Sequence, residues 1–295
     1  MQVVISMNRI ATIGFFDGVH KGHRYLFKQL DRIAAERNLE PLIVTFEQHP
    51  REVLQADYVP QLLTSTEERR ALLSAYGQVL MMPFAQIQAL TAAQFMEFLH
   101  TKYNVSVLLM GYDHRFGSDR LSKPQEYRML GEKIGIEVLT DHEFVDGEYH
   151  VSSTEIRTAL ENGNIAVAND LLGRPYSLRG TVVHGKGLGR TIGFPTANIE
   201  PLDPNMIIPK PGVYAVQARA YAFEWTPAIM NIGEALEVYI PNFQGDLYNQ
   251  ALEVRFMRFL RNEKQMSSLD ELQSQIKEDL RNIHVQCRTG VRHLG

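Results

Sequence analysis

The chain reads as two folds in series: a doubly wound α/β domain over residues 1–175, then a small antiparallel β-barrel with a C-terminal helix over residues 176–295. Three observations predict this. A length of 295 residues is long for a single hydrophobic core. The first half alternates unbroken apolar runs of strand length with helical periodicity, the pattern of a mostly parallel sheet covered on both faces. After Leu172-Gly173-Arg174-Pro175 that alternation gives way to short β-rich runs separated by Gly and Pro, which suits a small barrel.

The elements follow in order. Arg9–Ile13 is a short buried strand, and Arg24 to Asn38 carries Leu26, Leu30, Ile33 and Ala34 at helical spacing. Leu42–Phe46 is a second strand. Ser65-x-x-Glu68 forms a capping box for a helix through Ala75, which Gly77 stops. Gln78–Met82 is a third strand, and Thr91-x-x-Gln94 caps a helix with Phe95, Phe98 and Leu99 on one face. Val105–Met110 is the clearest buried strand. A helix through Glu126–Ile134, a strand at Ile136–Leu139 and two short helices from Ser152 to Leu172 complete the first half. In the second, Leu178–His184, Gly212–Ala220, Pro227–Asn231, Leu236–Pro241 and Ala251–Phe259 read as strands, and Ser267 or Ser268 caps a helix over Leu269–Leu280. No internal repeat or low-complexity segment interrupts them.

Composition removes several function classes. Hydrophobic residues make up 44% and charged residues 22%, ordinary for a globular chain. A net charge of -4, a pI near 6.2 and no basic run argue against a nucleic-acid partner. No apolar run approaches the ~18–20 residues of a membrane span, and the first seven residues lack the pattern of a secretory signal. One cysteine, Cys287, cannot form an internal disulfide. The expectation is a soluble cytoplasmic protein acting on small molecules, its oligomeric state left open.

The densest signal is Gly14-Phe15-Phe16-Asp17-Gly18-Val19-His20-Lys21-Gly22-His23, between the first strand and the first helix. Unpaired N–H groups at a helix N-terminus attract anions, and His20 and His23 add donors that could hold a phosphate as its charge changes. In open α/β sheets ligands bind beyond the strand C-termini, so this turn and Gly111–Gly117, after the fourth strand, could face one crevice. Ser152-Ser153-Thr154 opens a helix with hydroxyls that can cap it, and Arg157 sits one turn inside, able to fork onto phosphate oxygens. In the second half, Gly185, Gly187, Gly189 and Gly193 allow close backbone approach to phosphates. Their spacing is not that of a G-x-x-x-x-G-K-[ST] loop.

The run Gly14–His23, with its His20-x-Gly22-His23 core, resembles the signature of adenylyltransferases, and the longer context resembles the bacterial bifunctional riboflavin kinase and FAD synthetase family. The resemblance runs from about residue 8 to 280. It implies a Rossmann-like nucleotidyltransferase domain followed by a flavokinase barrel, with ATP as co-substrate, riboflavin, FMN and FAD as substrates or products, and Mg2+ as the metal. Gly14, Phe15, Asp17, Gly18, His20, His23, Ser153, Thr154 and Arg157 would hold ATP for adenylyl transfer, with His20 and His23 catalytic. Asp113, Arg115 and His49 would border the crevice for FMN and nucleotide; His114 stands where the family usually has Phe, and Gln48 departs from its F-x-P-H-P.

In the barrel, Gly193-Phe194-Pro195-Thr196-Ala197-Asn198 resembles the flavokinase signature. That implies Gly185, Lys186, Gly187, Gly193, Thr196 and Asn198 at ATP, with Thr196 and Asn198 on the metal. Leu236–Tyr248 resembles V-E-V-H-I-L-D-F-x-G-D-L-Y, which makes Glu237 the catalytic base, and Arg261-x-Glu263-Lys264 lies where the family approaches flavin. Between Gly233 and Glu237 the family carries a longer loop with R-P-T, while here only Glu234, Ala235 and Leu236 remain. The alternative is therefore an FMN adenylyltransferase whose barrel binds flavin but is catalytically impaired. An adenylyltransferase for another phosphate ester has no use for such a barrel.

Overall fold

The structure is a computed structural model, describing residues 8–112, 114–142, 144–146, 149–185, 187–264 and 266–287. Among the site candidates, Asp113 and Lys186 lie outside the described residues. By contacts the chain divides into two compact units, Met1–Ser153 and Thr154–Gly295.

In the first unit, β1 (Arg9–Ile13), α1 (Lys21–Arg37), β2 (Glu40–Phe46), α2 (Pro50–Leu54), α3 (Thr66–Leu73) and β3 (Gln78–Met82) are followed by α4 (Ala92–Tyr103), β4 (Val105–Met110), α5 (Pro124–Ile134) and β5 (Glu137–Thr140). A two-stranded ribbon, β6 (Val145–Asp146) and β7 (Tyr149–His150), ends the unit. The five long strands form a parallel sheet in the order β3-β2-β1-β4-β5. Chain order reverses on either side of β1, so the ends of β1 and β4 border the switch point at which such sheets bind ligands. One core layer packs α4 and α5 residues such as Phe95, Leu99 and Tyr127 under one face; the other packs Phe27, Leu30 and Ile33 of α1. Unbroken strands such as Val105–Met110 are buried because both faces are covered.

The second unit takes in most of α6 (Ser153–Glu161), then α7 (Ile165–Leu172), β8 (Ser177–Val183), α8 (Leu188–Thr191), β9 (Thr196–Pro201), β10 (Gly212–Ala220), β11 (Phe223–Ile232), β12 (Leu236–Tyr239), β13 (Ala251–Arg261) and α9 (Leu269–Cys287). The six strands close an antiparallel barrel in the order β10-β11-β12-β9-β8-β13. The sequence placed the boundary at residue 175, but contacts divide the chain at Ser153–Thr154. Asn169 of α7 explains why α7 groups with the barrel: its amide donates to Phe256 O at 2.8 Å and accepts from Tyr176 N at 2.8 Å, stitching α7 to β13.

Two further differences arise from length. Strand β9 lies between the Leu178–His184 and Gly212–Ala220 runs, where no strand is expected from the sequence, and α2 and the β6–β7 ribbon are too short for periodicity to register.

Candidate active sites

The first site is built by a backbone under tension. Phe16 has φ 55°, Gly18 φ 78° and Val19 φ 42°. A β-branched residue at positive φ is rare and costs on the order of 1–3 kcal/mol, so surrounding contacts must hold it. Asp17 supplies them. Its buried carboxylate accepts from Leu63 N at 3.0 and 3.1 Å, from Thr64 N at 3.1 Å and from Thr64 Oγ1 at 3.1 Å. Gly18 N donates to Thr64 Oγ1 and Ser153 Oγ donates to Asp17 O, each at 3.0 Å. Asp17 therefore anchors the turn. Gly14 lets the chain fold back on itself, since a Cβ there would stand 2.6 Å from the Phe16 ring.

The turn delivers His20 as the N-cap of α1, where Nδ1 accepts from His23 N at 3.4 Å. Gly22 leaves room for that ring; a Cβ would meet Nδ1 at 3.2 Å. The two imidazoles stack at 3.6 Å between centroids, and Phe16 meets His23 edge-on at 5.2 Å. Burial first, then the charges of His20 and His114, hold His23 well below the usual histidine range. It is neutral at pH 7, and its Nδ1 is buried with no hydrogen-bond partner. His20, His23 and Ser153 line a cavity of about 420 Å³ with Gly111, Tyr112 and Asp141, at the carboxyl ends of β1, β4 and β5.

A second cavity in this unit, about 520 Å³, brings together Phe15, His49 and Arg115. Its floor is apolar, with Phe46, Phe84, Phe95 and Phe116; its rim holds His49, Arg51, His114, Arg115 and Arg120, and no carboxylate among the described lining residues. The His49 ring meets Phe15 at 4.8 Å, while the buried Arg69 guanidinium lies 3.9 Å from the centre of the Phe15 ring and donates to Phe46 O at 2.6 Å. Arg51 and Arg120 were missed in the sequence, since they belong to no motif. Thr154 and Arg157 fall in the second unit, in the first turns of α6.

In the barrel, strand register does the positioning. Asn198 of β9 pairs with Glu237 of β12, Glu237 with Asn231 of β11, Asn231 with Val213 of β10, and Val213 with Arg261 of β13. Cross-strand partners share a face, as do residues two apart. Thr196, Asn198, Glu237 and Tyr239 therefore lie on one face of β9 and β12. A cavity of about 350 Å³ is lined by Thr196, Glu237, Tyr239, Asn231, Arg261 and Glu263, with Leu269, Leu272 and Ile276 of α9. A second, about 380 Å³, is lined by Thr196, Arg190, Phe243, Asp246 and Tyr248. Thr196 borders both. Burial raises the Tyr239 phenol, which stays protonated at neutral pH.

The remaining candidates act through neighbours. Gly185 packs so closely on the Asn198 amide that a Cβ would stand 2.1 Å from Nδ2, whereas Gly187 and Gly193 adopt φ 71° and 79° in open space. Arg261 forks onto the buried Asp279 at 2.7–3.2 Å, fastening α9 to β13. Glu263 accepts from Asn231 Nδ2 at 3.1 Å and lies against Gly233. The short turn closes a hairpin, with Ile232 opposite Leu236 and Gly233 N donating to Ala235 O. Asn231 is a site residue the sequence reading missed; its signal was the Asn-Ile-Gly run before Glu237.

No helix among the described residues is long and apolar enough to cross a membrane. Residues 4–155 match the family model described as FAD synthetase, and residues 172–286 the one described as riboflavin kinase. The bifunctional riboflavin kinase/FMN adenylyltransferase of Escherichia coli K12 is 38% identical over 283 residues, covering 92% of this chain and 90% of the relative. The enzyme of the same name from Listeria monocytogenes is 32% identical, covering 92% and 90%. A crystal structure described as a macrolide-efflux protein from Streptococcus pneumoniae has a TM-score of 0.85 at 30% identity, covering 96% of each chain. With both domains matched in order and relatives aligned along nine-tenths of its length, the chain belongs to the bifunctional riboflavin kinase/FMN adenylyltransferase family.

Proposed function

We infer that the barrel phosphorylates riboflavin to FMN at the expense of ATP and that the α/β domain adenylylates FMN to FAD, releasing pyrophosphate. One observation carries the reading: each unit holds two cavities, one suited to nucleotide phosphates and one to an aromatic acceptor. In the α/β unit they are the His20–His23 cavity and the basic-rimmed aromatic cavity; in the barrel they share Thr196. We keep 1–175 and 176–295 as the functional division, the cytoplasm as the location and small molecules as the partners, with neither nucleic acid nor membrane.

Adenylyl transfer is an in-line attack by an FMN phosphate oxygen on the α-phosphorus of ATP. It needs positioning and charge stabilisation rather than a covalent enzyme intermediate. Neutral His23 and its stacked partner His20 would donate to the phosphate oxygens as charge builds on the leaving pyrophosphate, with Ser153 beside them at the triphosphate. Arg115 and His49 would face the FMN phosphate.

In the barrel, Glu237 would take the proton from the riboflavin 5′-hydroxyl as its oxygen attacks the γ-phosphorus and ADP leaves. Among the described residues no group of three or more His, Cys, Asp or Glu could hold a metal. Magnesium bound to nucleotide needs no such cluster, because it keeps waters and takes one or two protein oxygens. The Thr196 hydroxyl and Asn198 carbonyl fit that demand, and the ion would neutralise phosphate charge there. Nothing favours the alternative of an impaired barrel: the short hairpin keeps Glu237 in register between Asn198 and Asn231.

The test is incubation with riboflavin, ATP and magnesium, followed by chromatography of FMN and FAD. Both products are expected. FAD formed from supplied FMN with no FMN formed from riboflavin would overturn the kinase half, and the reverse the transferase half.

A further inference from the structure

His114 belongs to neither set of roles above. Its N–H donates to Gly111 O at 3.2 Å, so it sits in the loop leaving β4. It lines the basic-rimmed cavity with His49, Arg51, Arg115 and Arg120. It also packs against Gly111, where an added Cβ would stand 3.8 Å from the His114 Cβ, and Gly111 lines the other cavity of the unit. One imidazole thus stands at the seam between them. The titratable or charged groups near it, among the described residues, include His20 and His23 at the start of α1, His49 and Arg51 at α2, Arg115, Asp119 and Arg120 in its own loop, Asp141 after β5, and Tyr127 of α5, whose phenol is hydrogen-bonded to Phe116.

We propose that His114 is a positioning residue for the acceptor, a proton-dependent clamp that draws the FMN phosphate to the seam between the two cavities. The proposal rests on the reading of the basic-rimmed cavity as the FMN site. A phosphate monoester brings about −1.5 to −2 charges near pH 7, which favours a charged imidazole beside it, so His114 takes up a proton as FMN binds. The imidazolium then donates a charge-assisted hydrogen bond that the neutral ring makes more weakly. A phenyl ring at 114 would fill the same space without titrating.

The experiment measures KM for FMN in FAD formation at saturating ATP, from pH 6 to 8.5, for the wild type, His114→Phe and His114→Lys. Titration of FMN itself is common to all three, so only differences between profiles count. Between those pH values the wild-type KM should rise roughly tenfold more than that of His114→Phe, the worth of one charged hydrogen bond. His114→Lys should keep a low KM at pH 8.5. His114→Gln, which hydrogen-bonds without titrating, should also give a shallow profile and serves if the Phe variant does not fold. A His114→Phe profile that parallels the wild type, while Arg115→Ala raises KM for FMN, would overturn the role of His114 alone. An unchanged KM in Arg115→Ala would overturn the cavity assignment and the clamp with it.

Discussion

The α/β unit and the barrel build their nucleotide sites from opposite resources. In the first, the proposed chemistry lies beyond the strands, on a turn whose positive φ angles at Phe16 and Val19 are held by a buried carboxylate. In the second we place it on the strands, where Asn198, Glu237 and Asn231 occupy one rung of a closed barrel. A parallel sheet covered on both faces leaves only its ends for ligands; a small barrel capped by a helix can use side chains along its strands. The first site should therefore fail through its loop anchors and the second through register, because a one-residue slip turns a side chain to the opposite face.

The largest effect should come from the rung. Glu237→Gln keeps shape and removes the proton acceptor, so FMN formation should fall by roughly 10²- to 10⁴-fold, with FAD formation from supplied FMN retained. Chromatographic rates with each substrate decide it. Unchanged FMN formation would remove Glu237 as the base and separate register from chemistry.

The counterpart on the turn is somewhat smaller. His20→Ala or His23→Ala should slow FAD formation by roughly 10²-fold, as for one removed transition-state donor, and leave FMN formation untouched. A parallel fall in both rates, with circular dichroism unchanged, would contradict separate sites in the two units.

Legibility in the sequence divides along the same line. The strand, turn and helix around His20 could be read because they are local: apolar run, glycines, then helical spacing. The strand Gly212–Ala220 emerged with the bounds the sequence suggested. The partner of Asp17 did not, because Leu63 and Thr64 lie 46 and 47 residues away and nothing in the turn points to them. The rung was equally hidden. Glu237, Asn198 and Arg261 were each suggested by resemblance, but only strand pairing brings Asn198 and Glu237 opposite each other and adds Asn231. Arg261 and Glu263, expected at flavin, line the same cavity as Glu237 while also fastening α9 and the β11–β12 turn; such double duty leaves no mark in a motif.

A subtler effect is expected from Gly185→Ala. The added Cβ would overlap the Asn198 amide, pushing it from its place opposite Glu237. The KM for ATP in FMN formation should rise about tenfold, a hydrogen-bond-sized loss of about 1.4 kcal/mol, with kcat less affected. Gly187→Ala meets nothing within 4 Å and carries only the strain of φ 71°, so it should have the smaller effect on KM. Equal effects would mean that backbone conformation, rather than the seating of Asn198, sets nucleotide binding.

The smallest effect concerns stability and pH. Burial, His20 and His114 hold the folded-state pKa of His23 below its ordinary value. Above about pH 6.5 the ring is neutral in both folded and unfolded chains and contributes no pH dependence. As the pH falls below that value, the unfolded chain binds a proton that the folded chain refuses, so the folded state loses stability. The loss steepens toward about 1.4 kcal/mol per pH unit and ends once the pH drops through the lowered folded pKa. Urea unfolding between pH 8 and 5 should therefore show a steeper decline for wild type than for His23→Gln, with parallel curves above pH 7. His23→Gln also loses the edge contact with Phe16, so its absolute stability is expected to shift and only the slope is diagnostic. The comparison between the units sharpens here: Glu237→Gln should leave this acid slope unchanged, because the strained turn, and not the barrel rung, keeps a titratable ring buried and neutral. Identical slopes for wild type and His23→Gln would show that the ring protonates as readily folded as unfolded, and that the stack with His20 tolerates charge.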